Sequence, residues 1–217
     1  MLECVIFDMD GVVIDSEPFH YTVNKEIFKN LNIDVPDKKY VMFIGATNTA
    51  MWTYLKKEYK LPQDVKHLVK LEEDGVINYL KKNKERPIDG VLELLKSLSK
   101  KEIAIALASS SPPDYIYAVL KSFDIYDYFK EVVSGEWVKR SKPAPDIFLK
   151  TADLLSIDPK NCVVIEDSEN GVNAAKAAGM KCIGYKNPNS GCQDLSNADA
   201  IVDSLKNFTV QRIEKLF

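Results

Sequence analysis

The sequence predicts an α/β fold: a doubly wound parallel sheet covered by helices, with an all-helical unit inserted after the first strand. Two observations carry this. Short, nearly continuous apolar runs alternate with stretches whose apolar residues recur at helical spacing, the pattern of strands buried on both faces and joined by crossover helices. Against that alternation, residues from about 16 to 84 offer helical patterns and no convincing strand, far more chain than the roughly twelve residues a crossover needs.

The first strand is read over 3–8, Glu3-Cys4-Val5-Ile6-Phe7-Asp8. Helices are then read over 18–29, 49–58 and 63–82. Pro18 falls in a first turn, where proline is tolerated, and Pro62 just precedes another helix start. The insert is entered near Asp15 and left near Arg86-Pro87. A helix at 89–100, apolar at Val91, Leu92, Leu94, Leu95 and Leu98, feeds a strand at 103–108. A helix at 114–123, apolar at Ile116, Val119, Leu120 and Phe123, precedes a strand at 131–134. A strand at 162–166 leads to an alanine-rich helix at 170–178, which Gly179 is suited to close with a left-handed residue. The last strand is read over 181–184. The expected division is a core of 1–15 and 85–217 and a helical cap of 16–84; the alternative for the latter is an ornate crossover packed on the sheet.

Composition excludes several classes. The 217 residues carry 29 basic against 32 acidic side chains, a net charge of −3, with no basic block to recruit a nucleic acid or an anionic membrane. The longest purely apolar run, 103–108, is far too short to span a bilayer. Acids stand at the N-terminus where a signal peptide needs a basic start. Cys4, Cys162, Cys182 and Cys192 form no C-x-x-C pair and are expected to be reduced thiols of a cytoplasmic protein. A monomer is expected, although no apolar patch encodes the oligomeric state.

The unusual residues gather at strand ends, and in open α/β sheets ligands bind outside the carboxyl edges of the strands. The first strand ends in Asp8-Met9-Asp10-Gly11-Val12, the second in Ser109-Ser110-Ser111 and the fourth in Glu166-Asp167-Ser168, while Ser141-Lys142-Pro143-Ala144-Pro145-Asp146 precedes the fourth. A lone acid in such a place is usually a helix cap. A parallel sheet, however, would bring four carboxylates, a lysine and several hydroxyls to one rim. Two like charges 4 Å apart repel by about 4 kcal/mol at an effective dielectric near 20. Lys142 would offset one charge, and Mg²⁺, a hard cation that accepts carboxylate, water and phosphate oxygens, would offset two more. Such a set suits phosphoryl transfer.

In order and setting, Asp8-Met9-Asp10-Gly11-Val12, Ser109, Lys142 and Glu166-Asp167 resemble the four motifs of the haloacid dehalogenase-like phosphohydrolases, and the helical insert resembles their type-1 cap. Asp15-Ser16-Glu17-Pro18-Phe19-His20 and Ser141-Lys142-Pro143-Ala144-Pro145-Asp146 are most similar to the β-phosphoglucomutase and sugar-phosphatase branch. The resemblance implies a Rossmann-like core and a small phosphorylated metabolite as substrate. It implies Asp8 as the nucleophile that forms an aspartyl-phosphate and Asp10 as the acid and base. Ser109 and Lys142 would hold the transferring phosphoryl oxygens. Mg²⁺ would be held by Asp8, the Asp10 carbonyl and Asp167, with Glu166 a ligand or a supporting neighbour. His20, Gly45, Asn48 and Ser110 are implied as substrate contacts.

The insert bears on which reaction follows. In the mutase branch an arginine follows the glycine of a cap loop and a lysine stands in the last cap helix. Here Phe43-Ile44-Gly45-Ala46-Thr47-Asn48 puts Asn48 at the arginine position, and the last helix reads Glu72-Glu73-Asp74-Gly75-Val76, an acidic stretch expected to repel a second phosphate. Trp52 and Tyr54 would either stack on a sugar or fill the core of the insert. A phosphatase is therefore expected, with a phosphosugar mutase second. A non-catalytic phospho-receiver is the distant third, since receivers lack both the insert and an acid two residues after the phosphorylated one.

Overall fold

A computed structural model of the chain describes residues 1–44, 47–83 and 85–217. The chain forms two compact units, Met1–Asp15 with Glu85–Phe217, and Ser16–Lys84. In chain order the elements are β1 (Cys4–Phe7), then helices α1 (Glu17–Asn30), α2 (Asp37–Tyr40), α3 (Asn48–Tyr59) and α4 (Val65–Lys82). There follow α5 (Val91–Lys100), β2 (Ala104–Ser109), α6 (Pro113–Ser122), β3 (Glu131–Ser134) and α7 (Asp146–Leu155). The chain ends with β4 (Cys162–Glu166), α8 (Glu169–Ala177), β5 (Lys181–Tyr185), β6 (Ala200–Val202) and α9 (Val210–Glu214).

The sheet of the first unit has the order β3-β2-β1-β4-β5-β6, and every pair is parallel. From β1 the chain winds outward through β2 to β3, then crosses back to β4 on the other side. The order thus reverses between β1 and β4, the kind of switch point that opens a crevice at the carboxyl edge. Strands β1, β2 and β4 are buried along their whole length, as their continuous apolar runs require. Beneath one face, Ile6, Ala106, Val164 and Cys182 pack with Phe148 of α7 and Val172 and Ala175 of α8. Strand β6 was not foreseen. Three residues at a sheet edge, one of them exposed, give no periodicity to read.

Local chemistry explains the boundaries. The Ser168 hydroxyl accepts from the Gly171 N–H and caps α8. At its other end Gly179 takes φ 75°, with Gly179 N–H bonding to the Lys176 carbonyl and Met180 N–H to that of Ala175, a Schellman motif. Where the second unit leaves and rejoins the sheet unit, the Ile88 N–H donates to the Val13 carbonyl at 2.9 Å.

The helical unit has its own core of Phe28, Val35, Tyr40, Met51, Trp52, Leu55, Leu61 and Leu68. Pro18 lies in the first turn of α1, the Thr47 hydroxyl caps α3 and Asp64 caps α4. The short α2 escaped the sequence reading because one turn shows no period. Trp52 is wholly buried, whereas Tyr54 is exposed with its ring against Phe43 at 5.4 Å.

Glu72 corrects an expectation. Rather than presenting charge outward, it is 1% exposed. Its Oε2 accepts from Trp52 Nε1 at 2.7 Å, and its Oε1 accepts from Asn24 Nδ2 at 2.9 Å and pairs with His20 Nδ1 at 2.8 Å. Repulsion of a phosphate by Glu72 is therefore no argument. His20 lies on α1, Asn48 opens α3, and Gly45 falls outside the described residues. The cysteines are free, but Cys192, unlike the other three, is exposed. No described helix is long and apolar enough to cross a membrane.

Candidate active site

Asp8 follows directly on β1, at the carboxyl edge, where its N–H donates to the Ile165 carbonyl of β4 at 3.0 Å. It is buried, and its Oδ1 lies 2.5 Å from Lys142 Nζ. The Lys142 ammonium also meets Glu166 Oε1 at 2.8 Å and the Ala108 carbonyl at 3.3 Å, above the ring of Phe148. Burial lowers the pKa of the Lys142 ammonium, but Asp8 and Glu166 outweigh it and the net shift is upward.

Glu166 ends β4 and is saturated. Its Oε2 accepts from the N–H groups of Asp167 and Ser168, each at 2.8 Å, and from Ser168 Oγ at 2.9 Å, at the dipole-favoured N-terminus of α8. Such close approach to the helix needs Gly171, where a Cβ would lie 1.6 Å from Glu166 Oε1. Asp167 is buried too, and its Oδ2 accepts from Ser190 Oγ. Gly11, at φ 81°, meets the same carboxylate: a Cβ there would fall 1.9 Å from Asp167 Oδ2. Only glycine suits that position on both counts.

Asp8, Glu166 and Asp167 each offer an oxygen within 4.8 Å of the others. One ammonium does not balance three carboxylates. Burial, opposed by Lys142 and helped by Glu166, pushes Asp8 up to about 8. Burial, then the charges of Glu166 and Asp8, holds Asp167 well above the usual carboxylate range. Among the described residues no hydrogen bond reaches Asp8 Oδ2 or Asp167 Oδ1. Two hard oxygens without donors, in a cluster with excess negative charge, fit a divalent cation of the Mg²⁺ type.

Asp10 stands apart from that cluster. Its Oδ2 accepts from Ser111 Oγ at 2.7 Å and its Oδ1 from Tyr115 OH at 3.3 Å. That carboxylate is committed to two hydroxyls, whereas the metal contact expected of this residue is through its backbone carbonyl. Ser109 is buried at the end of β2, its Oγ accepting from the Ser111 N–H at 3.1 Å, while Ser110 beside it is exposed. Asp8, Lys142, Glu166 and Asp167 are in mutual contact, and Asp10 and Ser109 are joined through Ser111. His20 and Asn48 belong to the helical unit.

Sequence reading missed the segment after β5. Asn187 Nδ2 donates to the Gly11 carbonyl at 2.9 Å, Asn189 Nδ2 to Asp15 Oδ2 at 2.6 Å, and Ser190 Oγ to Asp167. The available signal was the turn-forming run Asn187-Pro188-Asn189-Ser190 immediately beyond a strand, on the same edge as the acids. Tyr115 gave no signal, since its spacing reads as ordinary helix core.

The profile of the family described as haloacid dehalogenase-like hydrolase matches residues 5–185. The phosphorylated carbohydrates phosphatase of Thermotoga maritima is 32% identical over 183 residues, 84% of this chain and 84% of that protein. Hexitol phosphatase B of Escherichia coli strain K12 is 32% identical over 185 residues, 82% of this chain and 81% of that protein. The crystal structure of β-phosphoglucomutase from Clostridium difficile superposes with a TM-score of 0.82 at 26% identity, covering 100% of this chain and 97% of that one.

Proposed function

The chain belongs to the haloacid dehalogenase-like hydrolases and is a phosphatase of that family, and from this premise we propose that it hydrolyses a small sugar or polyol phosphate with Mg²⁺ through an aspartyl-phosphate on Asp8. One observation carries the reading: a buried carboxylate at the switch point of the sheet, ion-paired to Lys142 and sharing a cluster with Asp167. The two similar phosphatases, one of phosphorylated carbohydrates and one of hexitol phosphates by name, support a sugar or polyol as the alcohol part. In this reading the monomeric enzyme works in the cytoplasm, and the insert is a cap that selects the alcohol.

Asp8 would bond to phosphorus while Lys142 and Ser109 hold the other phosphoryl oxygens. Lys142, fixed by Glu166, would favour the ionised form of Asp8 and orient it. Asp8 and Asp167, with the Asp10 carbonyl, would hold Mg²⁺, and Glu166 would support them through the lysine. When bound, the ion would supply charge neutralisation for the incoming phosphate. Asp10 would give a proton to the departing alcohol and take one from the attacking water.

The test is phosphate release from a panel of phosphorylated sugars and polyols. Turnover should require Mg²⁺, stop in EDTA and disappear in Asp8→Asn. Turnover that survives in Asp8→Asn overturns the covalent route. Similarity to β-phosphoglucomutase along the whole chain keeps the mutase reading second, although Asn48 supplies no cation for a second phosphate. Conversion of β-glucose 1-phosphate to glucose 6-phosphate that depends on a bisphosphate primer would reverse the order.

A further inference from the structure

Two aspartates two residues apart are held by opposite kinds of partner. Asp8 is gripped by an ammonium, which favours its carboxylate form. Asp10 is gripped by two neutral hydroxyls, those of Ser111 and Tyr115. A hydroxyl can donate to a carboxylate and can also accept from a carboxylic acid, so this pair can hold the position of the group whether or not it carries a proton. A cation in the same place would favour one state only.

The hydroxyls are themselves well fixed. The Tyr115 ring, on the first turn of α6, is 4% exposed. The Ser111 N–H donates to Ser109 Oγ at 3.1 Å, and the Ser111 carbonyl accepts from Ser134 Oγ at 2.7 Å, at the end of β3. Gly135 permits this packing, since a Cβ there would lie 3.0 Å from Ser110 Cα. The orientation of Asp10 is thus transmitted from β3 through Ser134 and Ser111, and from α6 through Tyr115.

We propose that Tyr115, with Ser111, is a positioning residue that holds Asp10 in line for proton transfer in both halves of the reaction; this rests on the phosphatase reading above. In the first half an Asp8 oxygen bonds to phosphorus, the bond from phosphorus to the alcohol oxygen breaks, and the Asp10 proton passes to that oxygen. In the second, a water oxygen bonds to phosphorus, its proton passes to Asp10, and the bond to Asp8 breaks to release phosphate. Misplacing Asp10 removes assistance that general acids supply at roughly 10²–10⁴-fold, and the loss is greatest for leaving oxygens that are strongly basic.

The experiment is a series of substituted phenyl phosphates, from p-nitrophenyl to unsubstituted phenyl, assayed with Mg²⁺ on wild type, Tyr115→Phe, Ser111→Ala and Ser111→Thr. Their similar shape leaves leaving-group basicity as the variable, and kcat/KM reports the first transfer. For Tyr115→Phe and Ser111→Ala the loss on phenyl phosphate should exceed that on p-nitrophenyl phosphate by about tenfold, while Ser111→Thr, which keeps a hydroxyl, should retain the wild-type slope. Equal losses across the series would overturn the positioning role. A wild type that releases no phosphate from any member would instead sink the phosphatase reading itself.

Discussion

Each unit of this protein buries carboxylates, and they are treated in opposite ways. In the helical unit Glu72 is alone and satisfied, with Trp52, Asn24 and His20 around its two oxygens. In the sheet unit Asp8, Glu166 and Asp167 crowd together with Lys142 as their cation. A buried charge with its donors matched is a structural device, whereas a surplus of buried charge is tolerated where something else is to bind. The contrast teaches that burial alone does not mark a reactive acid; the balance of charge around it does.

The largest effect that would test this contrast comes from Lys142→Met. It should lower turnover at least about 10³-fold and destabilise the metal-free protein by roughly 3–5 kcal/mol, because three buried carboxylates lose their cation. Kinetics and urea denaturation measure the two losses, and unchanged stability would mean the cluster is not under strain. Next comes Glu72→Ala, which should cost about 3 kcal/mol by leaving the buried Trp52 Nε1 without an acceptor and taking one of two from Asn24 Nδ2. If denaturation shows no loss, Glu72 is not the structural half of the comparison.

A third prediction concerns pH. An aspartate whose pKa is raised by folding, as that of Asp8 is from 3.8 to about 8, binds more protons folded than unfolded. Its contribution to stability is complete below the unfolded value and is lost as pH rises through the folded one. The Tm of the metal-free protein should therefore fall across that window, and Mg²⁺ should raise Tm more at pH 8 than at pH 5. A Mg²⁺ shift independent of pH, in thermal melts, would contradict the surplus of charge. The smallest effect is that of Ser190→Ala, which removes the hydroxyl on Asp167 Oδ2 and should weaken Mg²⁺ affinity about tenfold in calorimetry.

Much of the sheet and the acid cluster was legible because both are written in contiguous residues. Strands such as Ala104–Ser109 announce themselves by unbroken apolar character, and Asp8, Glu166 and Asp167 by standing just beyond such runs. What escaped depends on distant pairing. Tyr115 looks like core until its hydroxyl is seen against Asp10, 105 residues away. The acidity of Glu72 was visible, but that Trp52 and Asn24 would turn it inward was not. Ser190 meets Asp167 through a loop whose composition signals a turn and nothing more.

The hydrogen bond from Ile88 to Val13 has a practical corollary. It ties the two chain ends flanking residues 16–84 within the sheet unit, so the intervening stretch behaves as a cassette whose docking points are fixed in advance. Because closing a loop costs only slowly more as it lengthens, a foreign helical segment or a short glycine-serine bridge spliced between Asp15 and Glu85 should leave the parallel sheet able to fold. That makes the sheet unit a natural chassis for exchanging the inserted segment by transplantation.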